Sequence, residues 1–218
     1  MIYVSIDIET SGLDHEKHKV LSIGAIIEDT EKKLPYEECP KFNAIVLQNE
    51  IIGSPRAITM NGGIIQMVGE YLEGTDETKH LMQTHSDYSF YHEDEVTKEF
   101  YMFLWCNGFS LLDSQSTHVN GKLIPIIDGK TKPITLNVAG KNFGTFDKLF
   151  LQELPWWQKL IRTRQRILDP AILMVDWTND KSLPNLTQCK ERANVDGIVT
   201  HNALEDAWDV IEVLRKFY

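Results

Sequence analysis

The first hydrophobic run of the chain ends in two carboxylates. From Ile2 to Ile8, apolar and more polar residues alternate, which is the period-two pattern of a β-strand. Asp7 and Glu9 therefore leave the same face of the predicted strand. Two such charges repel each other, and the pair is tolerated only if it is solvated, shares a proton or holds a cation such as Mg²⁺. Taken alone, the pair is most simply a solvated strand end.

The order of the remaining patterns predicts the fold class. Strand-like runs at Val20 to Ile27 and Lys41 to Leu47 complete an antiparallel three-strand meander with the first. Helices are expected at 54–60, 64–72, from Asp94 through Leu104, at 145–154, after Ser182 and at 202–217, with a buried strand at Ile134 to Ala139. This order indicates a mixed α/β sheet with helices on its faces.

Length and turn signals bound the domain organisation. With 218 residues and 42% hydrophobic content, the chain is long enough for one well-cored domain, which we expect to span residues 1–218. Asn120-Gly121 and Asp128-Gly129 are turn dipeptides that predict a small hairpin within Thr117 to Lys132. We interpret it as part of an insertion within residues 73–132.

Composition excludes several classes of protein. No stretch approaches the roughly 20 apolar residues of a membrane span, and the chain begins directly with a strand pattern, so we expect a soluble, cytoplasmic protein without a membrane partner. Its three cysteines are widely spaced, which predicts buried free thiols. The net charge of -10 disfavours a broad basic surface for duplex nucleic acid, although bound cations can still create a local phosphate site.

A second cluster, Asn142 to Asp147, lies between the buried strand and the next helix. Apolar residues follow Asp147 at three, four and seven positions, so its carboxylate borders the core-facing side of the helix. The helix dipole offers about 0.3–1 kcal/mol of relief, whereas burying an ion costs several kcal/mol. Asp147 therefore either needs a partner that neutralises its charge or is present only because a carboxylate stabilises the N-terminus of a helix.

A third cluster, His201 to Asp206, opens the last helix. Asn202 with Glu205 three residues later has the sequence of a capping box, to which we assign Glu205. His201 then lies just outside the helix and Asp206 at its fourth position, and side chains at these two positions meet in space. A loop histidine with a hydrogen-bonded ring is the alternative for His201.

Together, four acidic residues and one histidine are predicted to border the core. Carboxylates with few basic partners suit Mg²⁺ or Mn²⁺. Two such ions about 4 Å apart can clamp the attacking and leaving oxygens of a phosphodiester. A nearby neutral histidine could take the proton from the attacking water.

These residues resemble the DEDDh 3′→5′ exonucleases, a family that includes polymerase proofreading subunits, ribonuclease T and oligoribonuclease. The resemblance consists of three motifs in order over nearly the whole chain: Asp7-x-Glu9 with Thr10-x-Gly12-Leu13, Asn142-x-x-x-Phe146-Asp147, and His201-x-Ala203-x-x-Asp206. Asn61-Gly62, Asp169 and Ser182-Leu183-x-x-Leu186 are similar to secondary landmarks of the family.

The resemblance implies a ribonuclease-H-like fold and a two-metal site. Asp7 would bridge both ions, Glu9 and Asp206 would complete the first site, Asp147 would support the second, and His201 would be the general base. The substrate would be single-stranded DNA or RNA, from whose 3′ end nucleoside 5′-monophosphates would be released. Residues that would bind the terminal nucleotide are Thr10, Gly12, Leu13, Asn142 and Phe146.

Two departures from the family bear on substrate preference. Lys141-Asn142 stands where the family often has His-Asn, and one residue further from the aspartate. The region from Glu73 to Lys132 is also longer than in compact members. Neither departure touches the expected metal ligands.

Two other functions remain open from the sequence, a non-catalytic nucleic-acid-binding or scaffold domain and an endonuclease of the same superfamily. A separate question is the stretch Trp156 to Arg166, which carries four basic residues beside two tryptophans. It fits either a contact for a single strand or a solvated segment packed through its tryptophans.

Overall fold

The computed structural model describes residues 1–109, 115–119, 122–126 and 132–218, and of 115–119 and 122–126 it describes the backbone. The strands are β1 (Ile2–Thr10), β2 (Val20–Asp29), β3 (Lys41–Leu47), β4 (Ser89–His92), β5 (Gln115–Val119), β6 (Lys122–Ile126), β7 (Ile134–Leu136), β8 (Val138–Ala139) and β9 (Ile161–Thr163). The helices are α1 (Pro55–Met60), α2 (Gly62–Glu73), α3 (Asp76–His85), α4 (Glu93–Leu104), α5 (Asp147–Glu153), α6 (Trp157–Leu160), α7 (Pro170–Met174), α8 (Leu186–Ala193) and α9 (Ala203–Leu214).

The central sheet is mixed, in the order β4-β3-β2-β1-β8. β1, β2 and β3 form the predicted antiparallel meander, while β4 and β8 join its two edges in parallel. Parallel neighbours require crossover connections, and helices supply them between β3 and β4. The predicted mixed α/β class with a helix-flanked sheet is confirmed.

Helices cover both faces of the sheet at β1, so the strand is buried on both sides. Val4, Ile6 and Ile8 pack with residues of α4, α5 and α6 on one face. On the other face Tyr3 packs with residues of α8 and α9. The more polar face of β1 is therefore buried and not solvated. Ser5 on this face is fully buried.

The contact between α9 and the sheet depends on a glycine. Gly24 in the middle of β2 is paired with Asp7, and a Cβ at Gly24 would collide with the backbone of Ala203 and Leu204. The first turn of α9 therefore lies directly on the sheet beside the first carboxylate motif. This close approach sets the distance between the sheet and the side chains at the start of α9.

The predicted strand Ile134 to Ala139 divides at Asn137. β7 pairs with β9 in a separate two-stranded sheet, whereas β8 pairs with β1. Asn137 bonds the edge of β1 twice, since its carbonyl accepts from the Val4 amide at 2.9 Å and its side chain donates to the Ile2 carbonyl at 3.1 Å. The prediction of one continuous strand was wrong because the pairing partner changes at Asn137, from β9 before it to β1 after it.

Residues 73–93, which the sequence left unassigned, contain α3 and β4. β4 is an edge strand of the central sheet and α4 packs on its face, so both belong to the main architecture. The insertion predicted within 73–132 stays a prediction. β5 and β6 form an antiparallel hairpin that begins two residues before the predicted one, and the dipeptides Asn120-Gly121 and Asp128-Gly129 lie outside the described residues.

Two further expectations concern single properties of the chain. In the part of the chain that the structure describes, no helix is both long and apolar enough to cross a membrane. The three cysteines are free thiols, of which Cys39 and Cys189 are buried and Cys106 is exposed, so the prediction of buried thiols is wrong for Cys106.

Gly24→Ala should lower the free energy of unfolding by about 1–3 kcal/mol, because the added methyl group meets backbone atoms that a side-chain rotation cannot move. Gly69→Ala in α2 is the matched control. A Cβ there meets nothing within 4 Å, and alanine is favoured in a helix interior by about 0.5–1 kcal/mol. Urea denaturation measures both, and equal effects in the two variants would contradict this account of the α9 contact.

Candidate active site

The first motif lies at the end of β1. Asp7 is half-buried and Glu9 buried, and the pairing of β1 with β2 shifts register between Glu9 and Thr10. Such an irregularity interrupts the regular pairing of the two strands and changes the direction of the neighbouring side chains. Burial, followed by the charges of Asp147, Asp206 and Glu9, raises the pKa of Asp7 well above its ordinary value.

The second motif adds a carboxylate from the first residue of α5. Asp147 is buried, and its Oδ1 accepts a hydrogen bond from the backbone amide of Ile8 at 3.2 Å. This bond ties the start of α5 to β1 between Asp7 and Glu9. Burial raises the pKa of Asp147 to about 7, although the Ile8 amide opposes the rise.

The third motif opens α9 as predicted, with Asn202 as its N-cap. The Asn202 carboxamide oxygen accepts from the amides of Leu204 at 3.1 Å and Glu205 at 3.3 Å. Glu205 does not complete the predicted capping box, because its carboxylate accepts from the Thr200 hydroxyl at 2.7 Å. His201 between these contacts is exposed and has a positive φ of 56°, a conformation uncommon for a residue with a side chain.

These elements bring the predicted chemical residues together. Glu9, His201 and Asp206 each place one potential ligand atom within 4.8 Å of the others. Asp7 and Asp147 stand outside this closest group, but the charge of Asp147 acts on Glu9, and the charges of Glu9 and Asp206 act on Asp7. Burial raises the pKa of Glu9 to about 7 against an opposing hydrogen bond from Asn61, and burial raises the pKa of Asp206 to about 6.

The donor set fits a divalent cation. Within the described residues, the buried Oδ1 of Asp206 has no hydrogen-bond partner, which is costly for a carboxylate unless a cation or solvent supplies one. Four carboxylates and one imidazole also match the oxygen-rich donor sets of Mg²⁺ and Mn²⁺. The atoms can therefore hold a cation, and its charge would offset the burial and the repulsion that raise the pKa values of these carboxylates.

A pocket of about 350 Å³ opens beside the carboxylates. Thr10, Gly12, Leu13 and Phe146, all predicted to bind substrate, line it together with Glu9. The Thr10 hydroxyl donates to the Gly12 carbonyl at 2.7 Å, which holds the turn. The Leu13 side chain is 82% exposed at this turn and so is accessible to a ligand in the pocket.

Asn142, the fifth predicted substrate residue, lies elsewhere. It is exposed, has a positive φ of 60° and is not among the residues that line this pocket. Its side chain accepts from Lys141 at 2.7 Å, while its backbone amide donates to Asp169 at 3.0 Å. The structure thus gives Asn142 a role in the turn before α5 and no contact with the pocket.

Two polar contacts support the site. The buried Asn61 between α1 and α2 donates to the Thr10 carbonyl at 3.1 Å and bonds the Glu9 carboxylate. The phenol oxygen of Tyr88 accepts from the Asn202 side chain at 2.8 Å and so holds the residue next to His201. The Asn-Gly pair marked Asn61 in the sequence, whereas no local signal marks Tyr88, because it bonds a residue 114 positions away.

Behind Asp206 lies a buried ion pair that sequence reasoning also missed. Lys190 of α8 donates to Asp209 of α9 at 2.6 Å, and both side chains are buried. The charge of Asp209 adds to the raised pKa of Asp206, while Lys190 opposes the rise. Neither partner stands in a recognisable motif, so only the packing of α8 on α9 reveals the pair.

Comparison with solved structures relates this fold to exonuclease I. An Exonuclease I from Methylocaldum szegediense, described as moderately thermophilic, has a TM-score of 0.59 and 16% sequence identity, covering 99% of this chain and 40% of that chain. The E. coli Exonuclease I in complex with a dT13 oligonucleotide has a TM-score of 0.55 and 13% identity, covering 98% and 40%. Its complex with a dA16 oligonucleotide gives 0.53 and 14%, covering 99% and 40%.

These likenesses establish the fold. At such low identity they do not establish the activity, and this chain spans about 40% of the length of those structures. Neither a protein-family model nor a curated protein sequence matches the chain.

Without divalent cations, the free energy of unfolding should fall as the pH rises from about 4 to about 7. The unfolded chain releases its carboxyl protons near pH 4, whereas folded Asp206, Glu9 and Asp147 hold theirs to about pH 6–7. Mn²⁺ should restore stability at pH 7.5, because it binds the ionised carboxylates of the folded protein. Thermal melts in EDTA and in Mn²⁺ at several pH values measure both effects, and a metal-free stability that rises over this interval would contradict the burial of these groups.

Proposed function

We propose that the protein is a divalent-metal-dependent nuclease that removes nucleotides from the 3′ end of single-stranded DNA or RNA. The convergence of Glu9, His201 and Asp206 within 4.8 Å, next to two more carboxylates, is the observation that carries the proposal. The shared fold with exonuclease I adds support, since two of the structures compared are complexes with the oligonucleotides dT13 and dA16.

Asp7, Glu9, Asp147 and Asp206 would hold Mg²⁺ or Mn²⁺, in two ions as in two-metal phosphodiesterases. When bound, the cations supply positive charge to the phosphate and lower the pKa of water. The protein supplies rigidity. Asp147 is fixed to β1 by the Ile8 amide, and Asp206 is carried by a helix whose first turn rests on Gly24.

His201 is the proposed general base. A water molecule attacks the phosphorus of the terminal nucleotide, His201 accepts a proton from that water, and the bond from phosphorus to the 3′ oxygen of the preceding nucleotide breaks. The leaving oxygen takes up a proton and becomes the new 3′ hydroxyl, while the product is a nucleoside 5′-monophosphate. A neutral histidine is suited to this step because imidazole titrates near neutral pH.

The pocket beside the carboxylates would receive the terminal nucleotide. Exposed Leu13 and half-buried Phe146 offer apolar contact to a base, and the turn at Thr10 and Gly12 brings main-chain groups close. A Cβ at Gly12 would lie 2.5 Å from the His18 ring, so a larger residue in this turn would require that ring to move. Since the pocket is next to Glu9, a nucleotide in it would present its phosphate to the carboxylates.

Purified protein with Mn²⁺ should shorten a 5′-labelled single strand one nucleotide at a time, and Asp7→Asn should abolish this by weakening metal binding. Asp76→Asn in the first turn of α3 removes an exposed carboxylate far along the chain and should retain full activity. Gel analysis of products gives the direction. Internal fragments would indicate an endonuclease, and binding without cleavage would indicate the non-catalytic domain; either result overturns the proposal.

His201→Ala should slow hydrolysis by about 10²–10⁴-fold while leaving Mn²⁺ affinity within a few-fold of wild type. The reason is that a base is lost and the carboxylate ligands stay. His80→Ala on α3 is the matched control, since His80 is exposed and outside the site. Mn²⁺ titration by calorimetry separates the roles, because an equal loss of metal affinity in His201→Ala and Asp7→Asn would make His201 a ligand.

A further inference from the structure

Three exposed arginines follow one another on the segment after α6, and the proposed chemistry does not use them. Arg162, Arg164 and Arg166, here called the arginine row, form no ion pair or hydrogen bond through their side chains with any described residue. The chain carries 32 acidic residues and only 22 lysines and arginines. Three guanidinium groups without a partner among the described residues are available for an external anion.

The backbone explains why these side chains face outward. β9 runs parallel to β7, with buried Ile161 beside buried Ile134 and exposed Arg162 beside exposed Thr135. The Arg164 amide then donates to the Leu136 carbonyl at 2.9 Å, which keeps the segment beside β7 as far as Arg164, before the backbone bends at Gln165 and Arg166. Residues two apart on an extended segment are about 6.6 Å apart and share a face, which places Arg162 and Arg164 side by side.

A polar recess accompanies the arginine row. Its volume is about 580 Å³, and its lining consists of Asn137, Thr163, Arg164, Gln165 and Arg166. The guanidinium fork of arginine donates two parallel hydrogen bonds to a phosphate, and the amide and hydroxyl groups add further partners. The recess has the chemistry of a phosphate-binding surface.

The segment leads from this recess toward the candidate active site. Beyond Arg166, the Leu168 amide donates to the Val138 carbonyl at 2.9 Å, and Asp169 accepts from the Asn142 amide at 3.0 Å. The arginine row thus lies alongside the chain that enters the second carboxylate motif. Leu136 lies two residues before Val138, which is paired with Val4, whereas Asp7 and Glu9 lie three and five residues beyond Val4 on β1. At about 3.3 Å per residue the arginine row and the carboxylates are on the order of 20 Å apart, so only a strand of several nucleotides could reach both places.

We propose that the arginine row binds the phosphates of a single-stranded nucleic acid whose 3′ end lies in the candidate active site. The proposal rests on the proposed nuclease function for the identity of the polyanion. Charge on an edge strand also prevents pairing with other chains, but that role requires no particular sign of charge. Three observations favour a polyanionic ligand. The charges of the arginine row are positive, they have no partners among the described residues, and the segment runs toward the candidate active site.

Removing the arginine row should weaken binding of long strands in a salt-dependent way. Fluorescence anisotropy of a labelled 20-nucleotide strand in EDTA measures affinity without cleavage. Each lost phosphate contact lowers the slope of log K against log salt by about 0.7, so Arg164→Gln with Arg166→Gln should lower it by about 1.4 and reduce affinity on the order of 10-fold at 0.1 M NaCl. Hydrolysis of a trinucleotide in Mn²⁺ should stay unchanged, because it does not reach the arginine row.

Two further variants define what the effect means. Lys79→Gln removes one positive charge from α3, which bonds β4 through Gln83 at the opposite edge of the sheet, and should leave the slope unchanged. Replacing both arginines by lysine keeps the charge and should recover most of the slope, which a purely structural role would not predict.

The outcomes separate this proposal from the function on which it rests. An unchanged slope in the double glutamine variant, with trinucleotide hydrolysis intact, would overturn the arginine row and leave the nuclease standing. A reduced slope in a protein that cleaves nothing would support the arginine row and refute the nuclease. If the double variant instead lost binding to phosphatidylserine vesicles and kept its oligonucleotide affinity, the ligand would be a membrane surface and the proposal would fail.

Discussion

The close contact between α9 and Gly24 sets the geometry on which the site depends. Because β2 has no side chain at this point, the first turn of α9 rests on the backbone of the sheet, directly across from Asp7. The fourth residue of that helix is Asp206, and the residue before its N-cap is His201. One missing methyl group therefore brings two motifs nearly 200 positions apart in sequence to the same end of β1.

That geometry creates an electrostatic problem that the polypeptide does not solve by itself. Burial and mutual repulsion favour the protonated carboxylates, yet the surrounding basic groups are few, and Lys190 is already bonded to Asp209. Burying such carboxylates costs folding free energy, because each ion loses its hydration without gaining a partner of opposite charge. A site that is unfavourable in the protein alone, and favourable once cations neutralise it, is typical of an arrangement selected for binding and not for stability.

The parts of this picture that sequence could predict are those with short-range signals. The alternation of β1, the N-cap at Asn202 and the apolar spacing after Asp147 each depend on residues within one or two turns, and each was confirmed in its element. The sequence could not place β4 or the break at Asn137, because both depend on pairing with distant strands. The role of Tyr88 could not be predicted either, because it depends on a hydrogen bond with the distant Asn202 and not on the residues next to Tyr88 in sequence. The roles of the five chemical residues stay predictions, although the structure brings them together.

In an acidic protein that acts on a polyanion, the groups that attract the ligand must be different from the groups that carry out catalysis. Its net charge of -10 repels a nucleic acid at long range, and the carboxylates repel a phosphate until cations are bound. Attraction then has to come from local groups that are not neutralised by neighbours. The arginine row meets this condition, because it lies apart from the carboxylates on a segment that leads toward them. Under the proposed function, a strand held there would keep its far phosphates paired with guanidinium groups while its end meets the cations, so the two sources of positive charge would act on different phosphates and would not compete.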